Sequence, residues 1–345
     1  MTRRNVTLVL GAVLVVVLGA LVALLPVPYV ALGPGPTVNT LGSYQGHKVI
    51  TVTGHPISKS AGHLNLTTVG VTTRLQLVTA VRGWFDDRYA VVPREVIYPP
   101  GQTAKQVQQA DVAQFKRSQS SAETAALREL GYPVHVVIVK LSADSASAGK
   151  LAPGDRIVSV DGATVTSSEK LIQLIVRHHA GDTVRVGYLR NGTRGVVPIR
   201  LKRATADGTT RPVIGVTIKD VQPHPFKIHF DINNIGGPSA GLMFTLGIID
   251  LLRPVDLTGG RFIAGTGTID DEGNVGPIGG IHQKMVAARA KGATIFLTPA
   301  GNCAEAASDV PAGLRLVRIT SLHTALAALR TLRSGGTPRS CVSAG

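Results

Sequence analysis

Residues 6–25 carry no charged side chain and consist almost wholly of Val, Leu, Ala and Gly. Such a run predicts one continuous helix, since at about 1.5 Å per residue it matches a hydrocarbon layer of roughly 30 Å. Beyond it the pattern shortens. Residues 47–54 and 63–71 read as strands, 72–85 place apolar side chains at helical spacing, and 96–130 open on a Pro-Pro-Gly turn and continue as a polar helix. An apolar strand (134–141), a helix (168–179) and two further strands (183–193, 195–202) follow. From residue 212 onward, strands over 212–218, 227–232, 261–270, 294–300 and 314–319 are interleaved with helices over 239–252, 279–292 and 321–332. The mixture predicts an α+β chain. Its expected parts are an N-terminal transmembrane segment (1–30), a Pro/Gly linker with a small mixed region (31–123), two larger folded units (124–203 and 204–335) and a short tail (336–345).

Composition refines this picture in three ways. Apolar content of 44% over 345 residues supports several cores, and an aromatic content of 4% means those cores are aliphatic. The formal charge of +15 is spread along the chain; no basic block is interleaved with aromatics, so no nucleic-acid partner is expected. Arg3 and Arg4 precede the apolar run and no basic residue follows it closely. That asymmetry predicts a cytoplasmic N-terminus, contact with the lipid bilayer through residues 6–25, and an extracytoplasmic remainder at the plasma membrane. A cleaved signal peptide is the competing reading. Its apolar region is normally about 7–15 residues and ends in a small-residue site, and neither feature is present, which favours a retained anchor. Cys303 and Cys341 have no metal-site spacing; an oxidising compartment would permit a disulfide between them, with two free thiols as the alternative. No metal and no cofactor is expected.

The candidate chemistry begins at Gly236-Gly237-Pro238-Ser239-Ala240-Gly241, a bare, turn-prone stretch that runs into an apolar helix. A serine at a helix start is most often a simple cap. It can also sit beside free amide N–H groups and the positive end of the helix dipole, a ready place for an oxyanion, with Gly237, Pro238 and Ala240 forming the surrounding turn. No histidine is convincingly placed as its base. Lys284 lies three residues after Ile281 and four before Ala288, on the shoulder of an apolar helix face; desolvation there would lower its pKa toward neutrality, while helix position alone favours a stem that packs with its ammonium reaching water.

Two resemblances connect these features. The run 145–165, with Leu-x-Pro-Gly-Asp-x-Ile-x-x-Val-Asp-Gly at its centre, resembles PDZ domains. That resemblance implies binding of protein C-terminal tails by strand addition beside the strand 134–141 and the helix 168–179, with the loop Leu130-Gly131-Tyr132 at the carboxylate end. Gly237-Pro238-Ser239-Ala240-Gly241, Thr266-Gly267, and Pro277-Ile278-Gly279-Gly280 with Lys284 four residues on resemble the proteolytic domain of Lon-type proteases, in order and spacing. It implies Ser239 as nucleophile, Lys284 as base and Thr266 as the hydroxyl that contacts the lysine. The sequence departs from that family at Gly236, where an acidic residue often stands, and it contains no G-x-x-x-x-G-K-[ST] phosphate loop.

The expected whole resembles the membrane-bound, ATP-independent PDZ-Lon proteins of bacteria. It would be a serine endopeptidase acting on exposed or flexible segments of envelope or secreted proteins, with the PDZ domain recruiting substrate or gating the site. A proteolytically inactive PDZ scaffold of the envelope is the alternative, and homo-oligomerisation stays open.

Overall fold

The computed structural model describes residues 3–206, 209–232 and 235–341; the last four residues of the expected tail 336–345 lie outside them. The chain forms two compact units. One comprises 1–126 with 226–345, the other 127–225.

The first unit is organised on a six-stranded mixed sheet. Its strands are β1 (Tyr29–Asn39), β2 (His63–Thr72), β3 (Ala90–Pro93), β9 (Phe262–Gly265), β10 (Ile295–Pro299) and β11 (Arg315–Ile319), in the order β11-β10-β9-β2-β1-β3. The three late strands run parallel to one another, and β9 also runs parallel to β2, with Phe262 opposite His63 and Gly265 opposite Leu66. β1 pairs antiparallel with both β2 and β3. This corrects the expected domain plan. Residues 31–123 are not a linker and a separate small region, because 31–39 are strand, and β1, β2 and β3 complete the sheet of the C-terminal part.

Four helices of this unit matter below: α2 (Ala104–Glu129), α4 (Gly241–Leu252), α5 (Ile281–Ala290) and α6 (Leu322–Arg333). Every residue of α4 is buried. Phe244 on α4 meets Phe115 of α2 and Phe230 edge-on, with ring centroids 5.7 and 5.1 Å apart. α5 buries Ile281, Met285 and Ala288 in a cluster with Ala264, Phe296 and Leu316 from β9, β10 and β11. A disulfide joins Cys303 to Cys341, with the Cα atoms 5.0 Å apart.

The N-terminal apolar run forms helix α1 (Arg3–Ala23). Among the described residues no helix is long and apolar enough to cross a membrane. A transmembrane span over 6–25 is therefore not supported. α1 does expose its apolar side chains, Val15 and Val16 at 70% among them.

The second unit is an antiparallel sheet of β4 (His135–Leu141), β5 (Arg156–Val160), β6 (Thr183–Arg190), β7 (Thr193–Arg200) and β8 (Val216–Val221), in the order β7-β6-β5-β4-β8, with helix α3 (Ser168–Ile175) packed on it. Ser167 caps α3 by accepting the Lys170 amide, and Asp220 on β8 accepts from the Ser168 amide and hydroxyl. The unit runs past the expected boundary at 203, because β8 pairs along the whole of β4, from Leu141–Val216 to His135–Val221.

Candidate active site

The geometry starts with a clamped turn. Gly237 has φ +81°, a left-handed conformation that favours glycine. Its N–H donates to the Asp111 carbonyl at 3.1 Å, and the Pro238 carbonyl accepts from the Ser118 hydroxyl at 2.9 Å. Both partners lie on α2. From the other side, the Ser239 carbonyl accepts from the Gly267 amide at 2.9 Å and from the Thr266 hydroxyl at 3.0 Å. The helix itself begins only at Gly241, two residues later than expected, so Ser239 projects from the turn just ahead of α4 rather than from its first turn.

Lys284 comes to this serine from α5. The chain enters α5 through Gly280, at φ +67°, where an added Cβ would meet Val69 Cγ2 of β2 at 2.7 Å. A glycine is needed there for both reasons, and the helix start lies tight on the sheet. The preceding turn is held by Asn302, 4% exposed, whose side-chain amide accepts from the Ile278 N–H at 2.9 Å and donates to the Ile278 carbonyl at 2.8 Å. Lys284 is then one turn into the helix and 3% exposed.

The structure brings Ser239, Lys284 and Thr266 together. Lys284 Nζ donates to Ser239 Oγ at 2.8 Å and to Thr266 Oγ1 at 3.0 Å. Among the described residues no carboxylate contacts the amine, and burial alone pushes its pKa from 10.5 down to about 7. The Thr266 hydroxyl has spent its own hydrogen on the Ser239 carbonyl, so its oxygen can only accept from the lysine. A neutral Lys284 would then give one hydrogen to Thr266 and keep its lone pair for the Ser239 proton.

The expected oxyanion turn changes in detail. Gly237 cannot serve as a donor because its N–H is taken by Asp111, and Pro238 has none. The amides of Ser239 and Ala240 have no partner among the described residues and are the remaining donors. Ser239 lines a cavity of about 790 Å³ together with Thr68, Val69, Gly70 and Val71 of β2.

Three contributors to this site lie outside the sequence motifs: Asp111 and Ser118 on α2, and Asn302. The segment 96–130 shows only a polar helical pattern in sequence. Nothing local signals that it crosses beneath the serine turn.

The peptide groove expected in the second unit is displaced. β4 has no free edge, being paired with β5 on one side and β8 on the other. Leu130, Gly131 and Tyr132 lead into this internal strand, and the Tyr132 carbonyl already accepts from Gln222 at 2.6 Å. The open edge beside α3 belongs to β8. A cleft of about 160 Å³ lies there, lined by Ile172 and Ile175 of α3, by Val176 just after it, and by Ile214, Val216 and Ile218. Gly215, between the lining residues Ile214 and Val216, has a φ of +75° and turns the chain into β8.

Comparison with known proteins assigns both units. Residues 112–201 match the PDZ domain family, and residues 222–328 match the Lon protease C-terminal proteolytic domain. The chain carries these two domains, which together define a mixed α/β protein with a serine-peptidase type of domain. Among the relatives, the Lon protease of Frankia alni is 42% identical over 81 residues, 23% of this chain and 9% of that protein. Lon protease 1 of Sorangium cellulosum is 35% identical over 129 residues, 35% of this chain and 15% of that protein. The chain thus spans a small fraction of these relatives' length. Among solved structures, the PDZ domain of an SdrC-like protein from Listeria monocytogenes is 30% identical, with 24% of this chain and 85% of that chain covered and a TM-score of 0.22.

Proposed function

We propose that this protein is a serine endopeptidase that uses Ser239 as nucleophile and Lys284 as general base, without ATP. The observation that carries the reading is a buried, carboxylate-free lysine amine 2.8 Å from the serine oxygen, with its pKa near 7. Ser239 Oγ attacks the scissile carbonyl as its proton passes to Lys284. The Ser239 and Ala240 amides bind the oxyanion. Lys284 then delivers the proton to the leaving amine, and the acyl-enzyme is hydrolysed by a water that Lys284 deprotonates. Thr266 aims the amine.

The β8–α3 cleft is our candidate for substrate recruitment. Its free strand edge and apolar floor suit an extended C-terminal tail added beside β8, with the Gly215 turn at the carboxylate end. We place the catalytic unit outside the cytoplasm of a bacterial cell, attached to lipid through α1. The disulfide supports an oxidising compartment. The exposed Val and Leu side chains of α1 support an apolar surrounding. Exposed or flexible segments of envelope or secreted proteins are the proposed substrates.

The test is hydrolysis of an unstructured protein by the full chain, without nucleotide. Ser239→Ala and Lys284→Ala should each remove activity while leaving the fold intact, and the double variant should be scarcely worse than either single one, because the two groups act as a unit. A Ser239→Ala protein that cleaves as fast as wild type would refute the reading.

A further inference from the structure

The catalytic cleft is lined by two ionisable side chains, Lys284 and Asp111. The lysine is engaged with Ser239 and Thr266. Asp111 is in a different situation. Its backbone carbonyl is bound by Gly237, but its carboxylate has no hydrogen-bond or ion-pair partner among the described residues. It is half-buried, and burial raises its pKa.

Gly236 explains why the carboxylate fits there. A Cβ at residue 236 would lie 3.0 Å from Asp111 Cβ and 3.8 Å from its Cγ. The bare position three residues before the nucleophile thus makes room for an acidic side chain supplied by α2. The backbone bond from Gly237 fixes Asp111 in register with the serine turn.

We propose that Asp111 is a specificity-determining residue, selecting substrates that place a lysine or arginine side chain next to the scissile bond. The proposal rests on the endopeptidase reading and adds to it the class of substrate. A carboxylate partly removed from water and left unpaired is costly, and a substrate ammonium or guanidinium would supply the missing partner as a charge-assisted hydrogen bond. Long-range attraction cannot supply this selectivity. The chain's net charge of +15 repels cationic peptides, and salt screens that field beyond about 8 Å under physiological conditions. Preference for a basic residue therefore has to come from a contact inside the cleft.

The experiment compares kcat/KM for internally quenched peptides that are identical except for lysine, norleucine or glutamate at the positions flanking the cleaved bond. Full-length wild type, Asp111→Asn and Asp111→Lys are used, each checked for an unchanged melting temperature. Wild type should favour lysine over norleucine by about tenfold at one flanking position. In Asp111→Asn that ratio should fall to about one, and in Asp111→Lys glutamate should become the preferred residue. The Asp111→Lys inversion tests the contact even if Asp111→Asn is unstable. An unchanged lysine-to-norleucine ratio in Asp111→Asn would overturn the proposal, as would an equal slowing of all three peptides, which would mean a bond to the substrate backbone. Ser239-dependent cleavage without charge preference would refute only the specificity claim. No cleavage of any peptide by wild type would refute the endopeptidase reading as well.

Discussion

Lys284 must be buried enough to lose its proton and yet hydrogen-bonded enough to be aimed. The first requirement has a stability cost with a definite pH dependence. Between pH 7 and 10.5 the unfolded chain holds a proton on this lysine and the folded chain does not, so stability rises with pH across that window; below pH 7 the full cost remains. Lys284→Met removes the cost and forfeits two hydrogen bonds worth about 1 kcal/mol each, so the variant should be more stable than wild type at pH 7 by about 2–3 kcal/mol and less stable by about 1–2 kcal/mol at pH 10.5, where only the lost hydrogen bonds remain. Urea unfolding at pH 7 and 10.5 measures this; a variant destabilised already at pH 7 would show that the amine is held charged. The second requirement falls on Thr266. Thr266→Val deletes the acceptor for the lysine and the donor to the Ser239 carbonyl, and kcat should fall about tenfold with KM little changed. Steady-state kinetics on one peptide decides it. Taken locally, Ser239 is a serine at a helix start and Lys284 a lysine on an apolar shoulder; their pairing, and the choice of Thr266, rest on the resemblance to Lon-type proteases. Asp111, Ser118 and Asn302 were not legible in the sequence, since each acts on a partner 24 or more positions away and leaves no local trace.

Each element that positions the site does so through one or two named contacts, and these are where mutation should separate fold from function. The turn 277–279 hangs on the reciprocal amide pair of Asn302 with Ile278. Asn302→Ala leaves a half-buried N–H and C=O of Ile278 unpaired and should cost about 1–3 kcal/mol, with a larger loss in kcat than in KM because α5 carries the base. Thermal melts and peptide kinetics on the same sample test both parts; a loss of stability with kcat untouched would mean the turn does not govern the lysine. The strands and helices from 212 onward are readable from their alternation and spacing. What escapes such reading is pairing. β2 lies parallel to β9 across about two hundred residues, and β8 closes the second unit's sheet from beyond its apparent end. Both pairings depend on partners that no local pattern can specify. That is why 31–123 reads as a separate region, and why the free edge beside α3 was assigned to β4.

At the scale of the whole molecule, the disulfide and the dyad make separate demands. Cys303 and Cys341 close a loop of 38 residues around β11 and α6. Chain-entropy arguments give such a loop a stabilisation of about 2–4 kcal/mol, so Cys341→Ser should lower the melting temperature under non-reducing conditions and leave the pH profile of cleavage unmoved. Calorimetry with and without reductant checks this, and a wild type indifferent to reductant would contradict it. The account's central claim is that a neutral lysine activates the serine. Its most direct test is the single-turnover rate of acylation of the full chain by an ester or peptide substrate, measured from pH 5 to 10. The rate should rise with a single proton dissociation near pH 7 and then level off, and it should vanish in Lys284→Ala at every pH. A profile with no step near neutrality, or acylation that survives the loss of Lys284, would contradict the account.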